Sequence, residues 1–243
     1  MSYSGRDMWA ITASNQGGAL RRVGMDGLEL QVYDATSGSH DIAAVSGDLM
    51  AYLDYSVSCN DITEIDPSGE TTTVFTASGT FGSTCHGNAL RYSDDEEMYT
   101  YSEVGADIVQ VDRSGMVQWS LADVSGGVAT WGGVNHGHHL LADSIVIFAN
   151  SGGEGDASAM IEYDLEGNEI DRYDSGDRSQ NLGDVQRLSN GNTLVDFSND
   201  GVIHEIDPSG AVLVEITGSG GMNRFGYATW TPTLYGPAPD ITD

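Results

Sequence analysis

Three of the six histidines in this 243-residue chain occupy the same position of a repeated sequence pattern. His40, His86 and His136 each stand at the start of a strand-like segment, and in the following repeat Gly183 takes that position and is followed by Asp184. Equivalent residues of neighbouring structural repeats lie on the same side of a molecule. The spacing therefore predicts that three imidazoles point toward one small volume.

A second set of polar residues belongs to the same alignment. Asp54, Glu103 and Asn150 fall at the end of the next strand in these three repeats, which returns them to the same face. Imidazoles and carboxylates together bind divalent cations, and a bound cation activates water. The pattern predicts a divalent metal ion, Zn, Mn or Ca, held by ligands from the set His40, His86, His136, His138, Asp54, Glu103 and Asn150. The alternative chemistry is a histidine that acts as a nucleophile or as a general acid and base.

The histidines also admit a purely structural explanation, since duplicated repeats share residues without sharing chemistry. His138, two residues beyond His136, either joins the cluster or packs between repeats. His139 is expected to face the opposite way, and His204 is expected to be solvated on a more peripheral strand.

A hairpin signature that occurs five times indicates the elements that position these residues. Each signature begins with an aspartate, as in Asp66-Pro67-Ser68-Gly69, which suits the first position of a type I turn. The five aspartates, Asp26, Asp66, Asp112, Asp164 and Asp207, are separated by 40, 46, 52 and 43 residues. Alternating apolar residues flank the turns, so antiparallel hairpins are predicted.

Two further strand-like segments precede each hairpin, which gives four strands per repeat. The sequence thus predicts an all-β chain, a β-propeller with five blades of four antiparallel strands, and a β-sandwich is the rival architecture. The blades are expected at residues 7–34 plus 226–235, 36–76, 83–121, 131–174 and 182–217, within a single domain over residues 1–236. We expect the segment Tyr227–Thr231 to complete the first blade and close the ring, and residues 237–243 to form a flexible tail.

The segments His86-Gly87-Asn88-Ala89-Leu90 and Gly183–Leu194 resemble the bacterial arylsulfotransferase family. That family consists of propellers that move sulfuryl groups between phenols through a sulfo-histidine. The resemblance implies that His40, His86 and His136 are channel histidines, with His136 nearest to the sulfurylated one, and that Asn88 matches a family asparagine. The family has six blades and an arginine that holds the sulfate, whereas this chain has Ser102-Glu103-Val104 in the corresponding segment.

A carboxylate in place of that arginine repels an anionic ester and favours a neutral one. The sequence therefore predicts a metal-assisted hydrolase of activated esters, such as phosphotriesters, aryl esters or lactones. The alternatives are an aryl-sulfate sulfotransferase with a covalent histidine intermediate and a non-catalytic binding module. The catalytic candidates are His136, His86, His40, Glu103 and Asn88. The candidates for substrate contact are Trp131, Arg178, Arg224, Tyr227 and Trp230.

The two cysteines, Cys59 and Cys85, lie in loops that adjacent repeats bring to the same face. A disulfide between them is predicted, with a thiolate metal ligand as the alternative. A disulfide implies an oxidising compartment, which for this chain means an extracellular or periplasmic location. Residues 1–6 contain no apolar stretch of the kind found in signal peptides.

The charge of the chain excludes several classes of partner. It has 37 acidic and 9 basic residues, all of the latter arginine, for a formal net charge of -28. Such a field repels phosphate backbones and anionic lipid headgroups, so neither nucleic-acid binding nor membrane insertion is expected. The expected partner is a small-molecule ester, the expected state is a monomer, and the acidity suits a salty or marine environment.

Overall fold

The architecture is all-β, as the sequence predicts. A computed structural model describes residues 2–3, 7–12, 19–24, 26–34, 37–45, 49–55, 59–105, 107–127, 134–218 and 225–230. The strands of this part of the chain form five four-stranded sheets, in each of which neighbours in sequence are neighbours in space. No helix in the described ranges is both long and apolar enough to cross a membrane.

The first two sheets contain the N-terminal strands. The first sheet consists of β1 (Ser2–Tyr3), β2 (Asp7–Thr12), β3 (Ala19–Gly24) and β4 (Glu29–Asp34). The second consists of β5 (Gly38–Ala44), β6 (Met50–Asp54), β7 (Asp61–Ile65) and β8 (Thr71–Phe75). A five-residue helix, α1 (Ala77–Phe81), follows the second sheet.

The remaining three sheets repeat this order. The third consists of β9 (Gly87–Ser93), β10 (Met98–Glu103), β11 (Asp107–Asp112) and β12 (Val117–Ser120), followed by α2 (Leu121–Ser125). The fourth consists of β13 (Asn135–Leu140), β14 (Ser144–Ala149), β15 (Ala159–Asp164) and β16 (Glu169–Tyr173). A single 3₁₀ turn, Glu154–Asp156, precedes β15. The fifth consists of β17 (Asp184–Arg187), β18 (Thr193–Phe197), β19 (Val202–Ile206) and β20 (Val212–Thr217).

The aspartates of the hairpin signature shape the turns that join the last two strands of a sheet. Asp66 Oδ1 accepts hydrogen bonds from the amide of Ser68 at 2.8 Å, from its hydroxyl at 2.7 Å and from the Glu70 amide at 3.0 Å. Asp112 and Asp207 make the same three contacts in their own turns. These bonds stabilise the ionised carboxylate, and the Ser68 hydroxyl is the largest cause that lowers the pKa of Asp66.

The chain divides into two compact units, each with its own core. Unit 1 comprises residues 1–99, 112–116 and 231–243, and unit 2 comprises residues 100–111 and 117–230. In unit 1, Leu20 of the first sheet packs with Ile42, Met50, Tyr52 and Ile65 of the second. In unit 2, the fourth and fifth sheets share a cluster that includes Phe148, Val185 and Phe197. The single domain and the ring of five blades stay predictions.

The prediction that the C-terminal segment Tyr227–Thr231 supplies a strand of the first blade is wrong. The first sheet takes its fourth strand from the N-terminus, because β1 pairs with β2 in the register Ser2 with Trp9. Residues 225–230 contain no strand, and they contact the fifth sheet instead, where the Trp230 amide donates to Gln186 Oε1 at 2.7 Å. The expected tail 237–243 lies outside the described residues.

Candidate functional site

Two of the predicted histidines meet in unit 1. His40 Nε2 lies 2.7 Å from His86 Nε2, and the two rings are close to perpendicular, with centroids 4.4 Å apart. His40 is exposed and His86 is half-buried, so the pair is accessible from solvent. Burial lowers the pKa of His86 below its ordinary value, which favours the neutral imidazole at neutral pH.

The backbone around His40 has an unusual conformation that directs this side chain. The register of β5 against β6 shifts between Ser39 and Ile42, so His40 lies in a β-bulge. Its φ angle is 58°, in the left-handed region that a non-glycine residue seldom adopts. Bulges re-aim side chains and are frequent beside active sites. Irregular strand geometry therefore carries His40 toward His86.

Asn60 ties the segments that carry the two histidines to each other. This fully buried side chain accepts a hydrogen bond of 3.1 Å from the amide of Gly87, directly after His86. Its amide group donates to the hydroxyl of Ser39, directly before His40. Sequence reasoning missed Asn60, although a polar residue directly before a strand in this loop is a usable signal.

A disulfide supports the same region from the other side of His86. Cys59 and Cys85 are bonded, with their Cα atoms 4.7 Å apart, and the Cys85 amide also donates to Cys59 Sγ at 3.1 Å. Because Cys59 precedes Asn60 and Cys85 precedes His86, the bond joins both supporting segments. It leaves no thiolate here to bind a metal.

The third predicted histidine lies in unit 2, paired with a predicted asparagine. His136 Nδ1 is 2.7 Å from Asn150 Oδ1. The Asn150 amide nitrogen donates to the carbonyls of Ser179 at 2.5 Å and Leu182 at 2.9 Å, which assigns the opposite side-chain atom as the acceptor oxygen. Neutral His136 therefore carries its proton on Nδ1 and its lone pair on Nε2.

Unit 2 also contains two buried aspartates that face each other across neighbouring strands. Asp184 on β17 is the register partner of Asp196 on β18, and they are 3% and 1% exposed. The pKa of Asp196 is raised to about 7, chiefly by burial; the Ser198 hydroxyl lowers it in part, and the nearby charge of Asp184 adds a smaller increase. Sequence reasoning noted Asp184 but missed Asp196.

Other predicted ligands and catalytic candidates are largely enclosed. Asn88, Glu103 and His138 are at most 5% exposed, and the Glu103 backbone carbonyl accepts from Asn135 Nδ2 at 3.1 Å. Asp54 lies at the end of β6, where its charge adds to the burial that raises the pKa of Tyr52 to about 12. No group of three or more His, Cys, Asp or Glu that could hold a metal occurs within the described ranges. The metal and the meeting of all three histidines stay predictions.

Three of the five predicted substrate-contact residues lie within the described ranges. Trp131 and Arg224 lie outside the described residues. Arg178 is exposed, and its amide donates to Asp200 Oδ2 at 2.7 Å. Tyr227 and Trp230 lie in the non-strand segment beside the fifth sheet, with Trp230 46% exposed. Their contact with substrate stays a prediction.

Solved structures with the same fold share little sequence with this chain. A protein of unknown function from Bacteroides caccae is 13% identical with a TM-score of 0.60, over 87% of this chain and 73% of its own. The WD40 β-propeller domain of Doa1 is 10% identical with a TM-score of 0.61, over 88% and 67%. A catalytically inactive histidine-to-alanine variant of virginiamycin B lyase from Staphylococcus aureus, with quinupristin, is 12% identical with a TM-score of 0.59, over 93% and 75%.

These similarities confirm the β-propeller fold. No protein-family model matches the chain, and no curated protein matches it. Membership of the arylsulfotransferase family is therefore not confirmed.

Proposed function

We propose that this chain is an enzyme that hydrolyses a neutral activated ester, such as an aryl ester, a lactone or a phosphotriester, at the His40–His86 pair. The observation that carries the proposal is the 2.7 Å separation of the two Nε2 atoms. At this distance one Nε2 bears a proton and the other a lone pair. In this contact the N–H of one imidazole occupies the lone pair of the other, so the donor and the base become available together when the ester oxygen and water replace the contact.

The two imidazoles can divide the work of ester hydrolysis. One Nε2 accepts a proton from water, and the water oxygen attacks the carbonyl carbon or the phosphorus atom. The N–H of the other imidazole donates to the carbonyl or phosphoryl oxygen as negative charge develops there. The first imidazole then returns its proton to the leaving oxygen. One water is consumed, and an acid and an alcohol or phenol are released.

Metal assistance, which the sequence predicts, fits this spacing less well. Zinc-bound imidazole nitrogens lie about 2.0–2.1 Å from the ion, which separates two of them by about 3.3 Å in tetrahedral geometry. The observed 2.7 Å suits a direct N–H···N hydrogen bond. A divalent cation between the histidines is the second form of the proposal, and chelation distinguishes the two.

The surroundings of the pair favour a neutral aromatic substrate. The net charge of -28 disfavours an anionic sulfate ester. Tyr55, 49% exposed and with its ring centroid 6.1 Å from that of His86, offers an apolar face to an aryl leaving group.

The Cys59–Cys85 disulfide supports an extracellular or periplasmic location. Propeller folds also host histidine-dependent enzymes, since the virginiamycin B lyase variant that lacks one histidine is inactive.

The test is a panel of chromogenic esters measured with and without EDTA. p-Nitrophenyl acetate, a phenyl phosphotriester and an aryl lactone represent the neutral substrates, and p-nitrophenyl sulfate represents the anionic one. His40→Asn, which tolerates the left-handed backbone, and His86→Gln should each lower kcat/KM on the neutral ester about 100-fold or more. The control His139→Asn should leave kcat/KM within about twofold, because Asn Oδ1 can still accept the bond of 2.9 Å that His139 Nδ1 accepts from the Arg187 amide.

Each other outcome selects a different function. Loss of activity in EDTA that a stoichiometric metal restores indicates the metal-assisted form. A sulfuryl adduct on a histidine, with turnover that requires a phenol acceptor, indicates a sulfotransferase. No turnover on any ester, with both histidine variants stably folded, indicates a binding module.

A further inference from the structure

The outer strand of the fifth sheet presents an open, apolar edge. β20 pairs with β19 on one side, and no strand of the described residues pairs with its other side. All six of its side chains are exposed, and exposure reaches 46–55% for the four apolar ones, Val212, Leu213, Val214 and Ile216. An exposed apolar edge strand is a template on which another strand can pair.

The outer strands of the other sheets are less suited to such pairing. Charged side chains and a short strand both oppose pairing at an edge. β4 contains two charged residues and β16 contains three. The exposed residues of β8 are threonines, and β12 has only four residues. β20 has a single charged residue, Glu215, whose Oε2 lies 3.3 Å from His204 Nε2.

The hydrogen bonds to β19 decide which residues of β20 face the open edge. The Gly218 amide donates to the Gly201 carbonyl at 2.8 Å, directly across the β19–β20 ladder. Hydrogen-bonded and non-hydrogen-bonded positions alternate along an antiparallel pair. The main-chain groups of Ile216 and Gly218 therefore point to β19, and those of Glu215 and Thr217 point outward.

We propose that two copies of this chain pair through β20 as antiparallel strands, with the two-fold axis at Ile216. The partner must be an extended apolar strand with an open edge and little charge, and β20 itself meets each requirement. This register bonds the main-chain groups of Glu215 to those of the partner's Thr217 and places the two Ile216 side chains directly opposite each other. An axis at Glu215 would oppose two carboxylates, which destabilises a sheet.

The charge of the whole chain opposes this dimer, whereas the charge of the paired stretch does not. Two chains of net charge -28 repel each other at low salt. The paired stretch Val214–Gly218 contains one carboxylate, and the bulge at Leu213 lies outside it. Association should therefore strengthen as salt screens the repulsion, which is the opposite of a complex held by ion pairs. The interface uses no atom of the His40–His86 pair and does not depend on the proposed hydrolase activity.

Sedimentation velocity on the full chain measures the dimer. In about 1 M NaCl, where the Debye length is about 3 Å, a species of twice the chain mass of 25.7 kDa should form with a Kd of about 1–100 μM. In about 0.05 M NaCl the Kd should be at least about tenfold weaker. A chain that stays monomeric up to about 1 mM at high salt overturns the proposal.

A lysine on the edge tests which surface is used. Ile216→Lys should weaken the dimer at least about tenfold, because a charged side chain at an edge opposes pairing. It also makes the net charge less negative, so added repulsion between the chains cannot explain the loss. The matched control is Ile170→Lys on β16, where the isoleucine is 56% exposed, and it should leave the Kd within about twofold. An equal effect of the two substitutions would assign the dimer to another surface.

A cysteine at the axis tests the register. The two native cysteines are bonded to each other, so Ile216→Cys introduces the one free thiol of the chain. Opposed residues at a non-hydrogen-bonded position have Cα atoms about 4.5 Å apart, which is within reach of a disulfide. Mild oxidation at high salt should therefore cross-link two copies of this variant, whereas Ile170→Cys should stay largely uncrosslinked. Equal cross-linking of the two variants would rule out the axis at Ile216.

Discussion

The side-chain carbonyl of Asn60 accepts a hydrogen bond of 3.1 Å from the amide of Gly87, the residue that begins β9. The other half of the same side chain donates to the Ser39 hydroxyl, one residue before His40. One buried amide group thus spans the two segments that end in the Nε2–Nε2 contact. Asn60 therefore positions the histidine pair through the neighbouring residues Gly87 and Ser39.

Replacing Asn60 with alanine should displace the histidine pair while the chain remains folded. The change leaves the buried Gly87 amide without its acceptor, which costs about 1–3 kcal/mol in free energy of unfolding. We expect kcat/KM on a neutral ester to fall about tenfold or more under conditions where the variant remains folded. The control is Asn168→Ala in an exposed turn, where the amide donates to Asp164 Oδ2 at 2.8 Å. Equal loss of activity in both variants would contradict the positioning role.

The pH dependence of ester hydrolysis should follow the protonation of the histidine pair. Burial lowers the pKa of His86 from 6.5, so the neutral, active form persists to a lower pH than for a solvated imidazole. Activity should therefore hold as the pH falls to 6.5 and decline below it. A profile of kcat/KM against pH on p-nitrophenyl acetate checks this. An acid limb centred above pH 6.5 would contradict the assignment of His86.

Loss of the Cys59–Cys85 disulfide should destabilise the chain. Its 26-residue separation gives an expected loss of about 3–4 kcal/mol in the chain-entropy description. Chemical denaturation of a Cys59→Ser, Cys85→Ser double variant measures that loss, with the single variants excluded because each leaves a free thiol. A free energy of unfolding equal to that of the wild-type chain would show that the bond constrains little in the unfolded state.

The Asn150 side chain should set the tautomer of His136. With Asn150 Oδ1 as the acceptor at 2.7 Å, long-range ¹H–¹⁵N NMR at alkaline pH should show neutral His136 protonated at Nδ1. Asn150→Ser should shift the ring toward the Nε2–H tautomer, which is favoured in water. His139, whose Nδ1 accepts from the Arg187 amide at 2.9 Å, is an internal reference of the opposite kind. A wild-type His136 with its proton on Nε2 would refute the assignment.

Gly137→Ala should destabilise the chain, whereas Gly79→Ala should not. The added methyl group at position 137 would collide with Asp184, and such overpacking costs about 1–3 kcal/mol or more. Gly79 lies in α1 with nothing within 4 Å of an added Cβ atom, so alanine there should be neutral or stabilising by about 0.5–1 kcal/mol. Denaturation midpoints of the two variants provide the comparison. Equal midpoints would contradict the close packing at position 137.

The features that could be predicted from sequence have local or repeated signals. The hairpin turns were predictable because Asp66 and its counterparts bond to amides within four residues of themselves. The contact between His40 and His86 was predictable in outline because repeats place equivalent residues near each other. The details depend on the bulge at His40 and on Asn60, which arise from tertiary packing that no local pattern encodes.

The features that sequence reasoning missed have two causes, which are burial from both faces of a sheet and a strand too short to show a pattern. His204 was expected to be solvated, but it is 5% exposed, with Nδ1 2.9 Å from the Tyr173 hydroxyl and Nε2 3.3 Å from Glu215 Oε2. Asp196 looks like the polar member of an alternating strand, yet β18 is covered on both sides. The N-terminal strand β1 has only two residues, too few to show a periodicity.

The turn aspartates restrict any attempt to redesign this chain with a smaller net charge. In Asp66, Asp112 and Asp207, one carboxylate oxygen accepts hydrogen bonds from three nearby donors. The negative charge of each residue therefore stabilises its turn. Asp94 and Asp95, which are exposed between β9 and β10, are better positions to neutralise. An engineer who adapts the protein to low-salt buffers should therefore mutate the β9–β10 turn and leave the β7–β8, β11–β12 and β19–β20 turns intact.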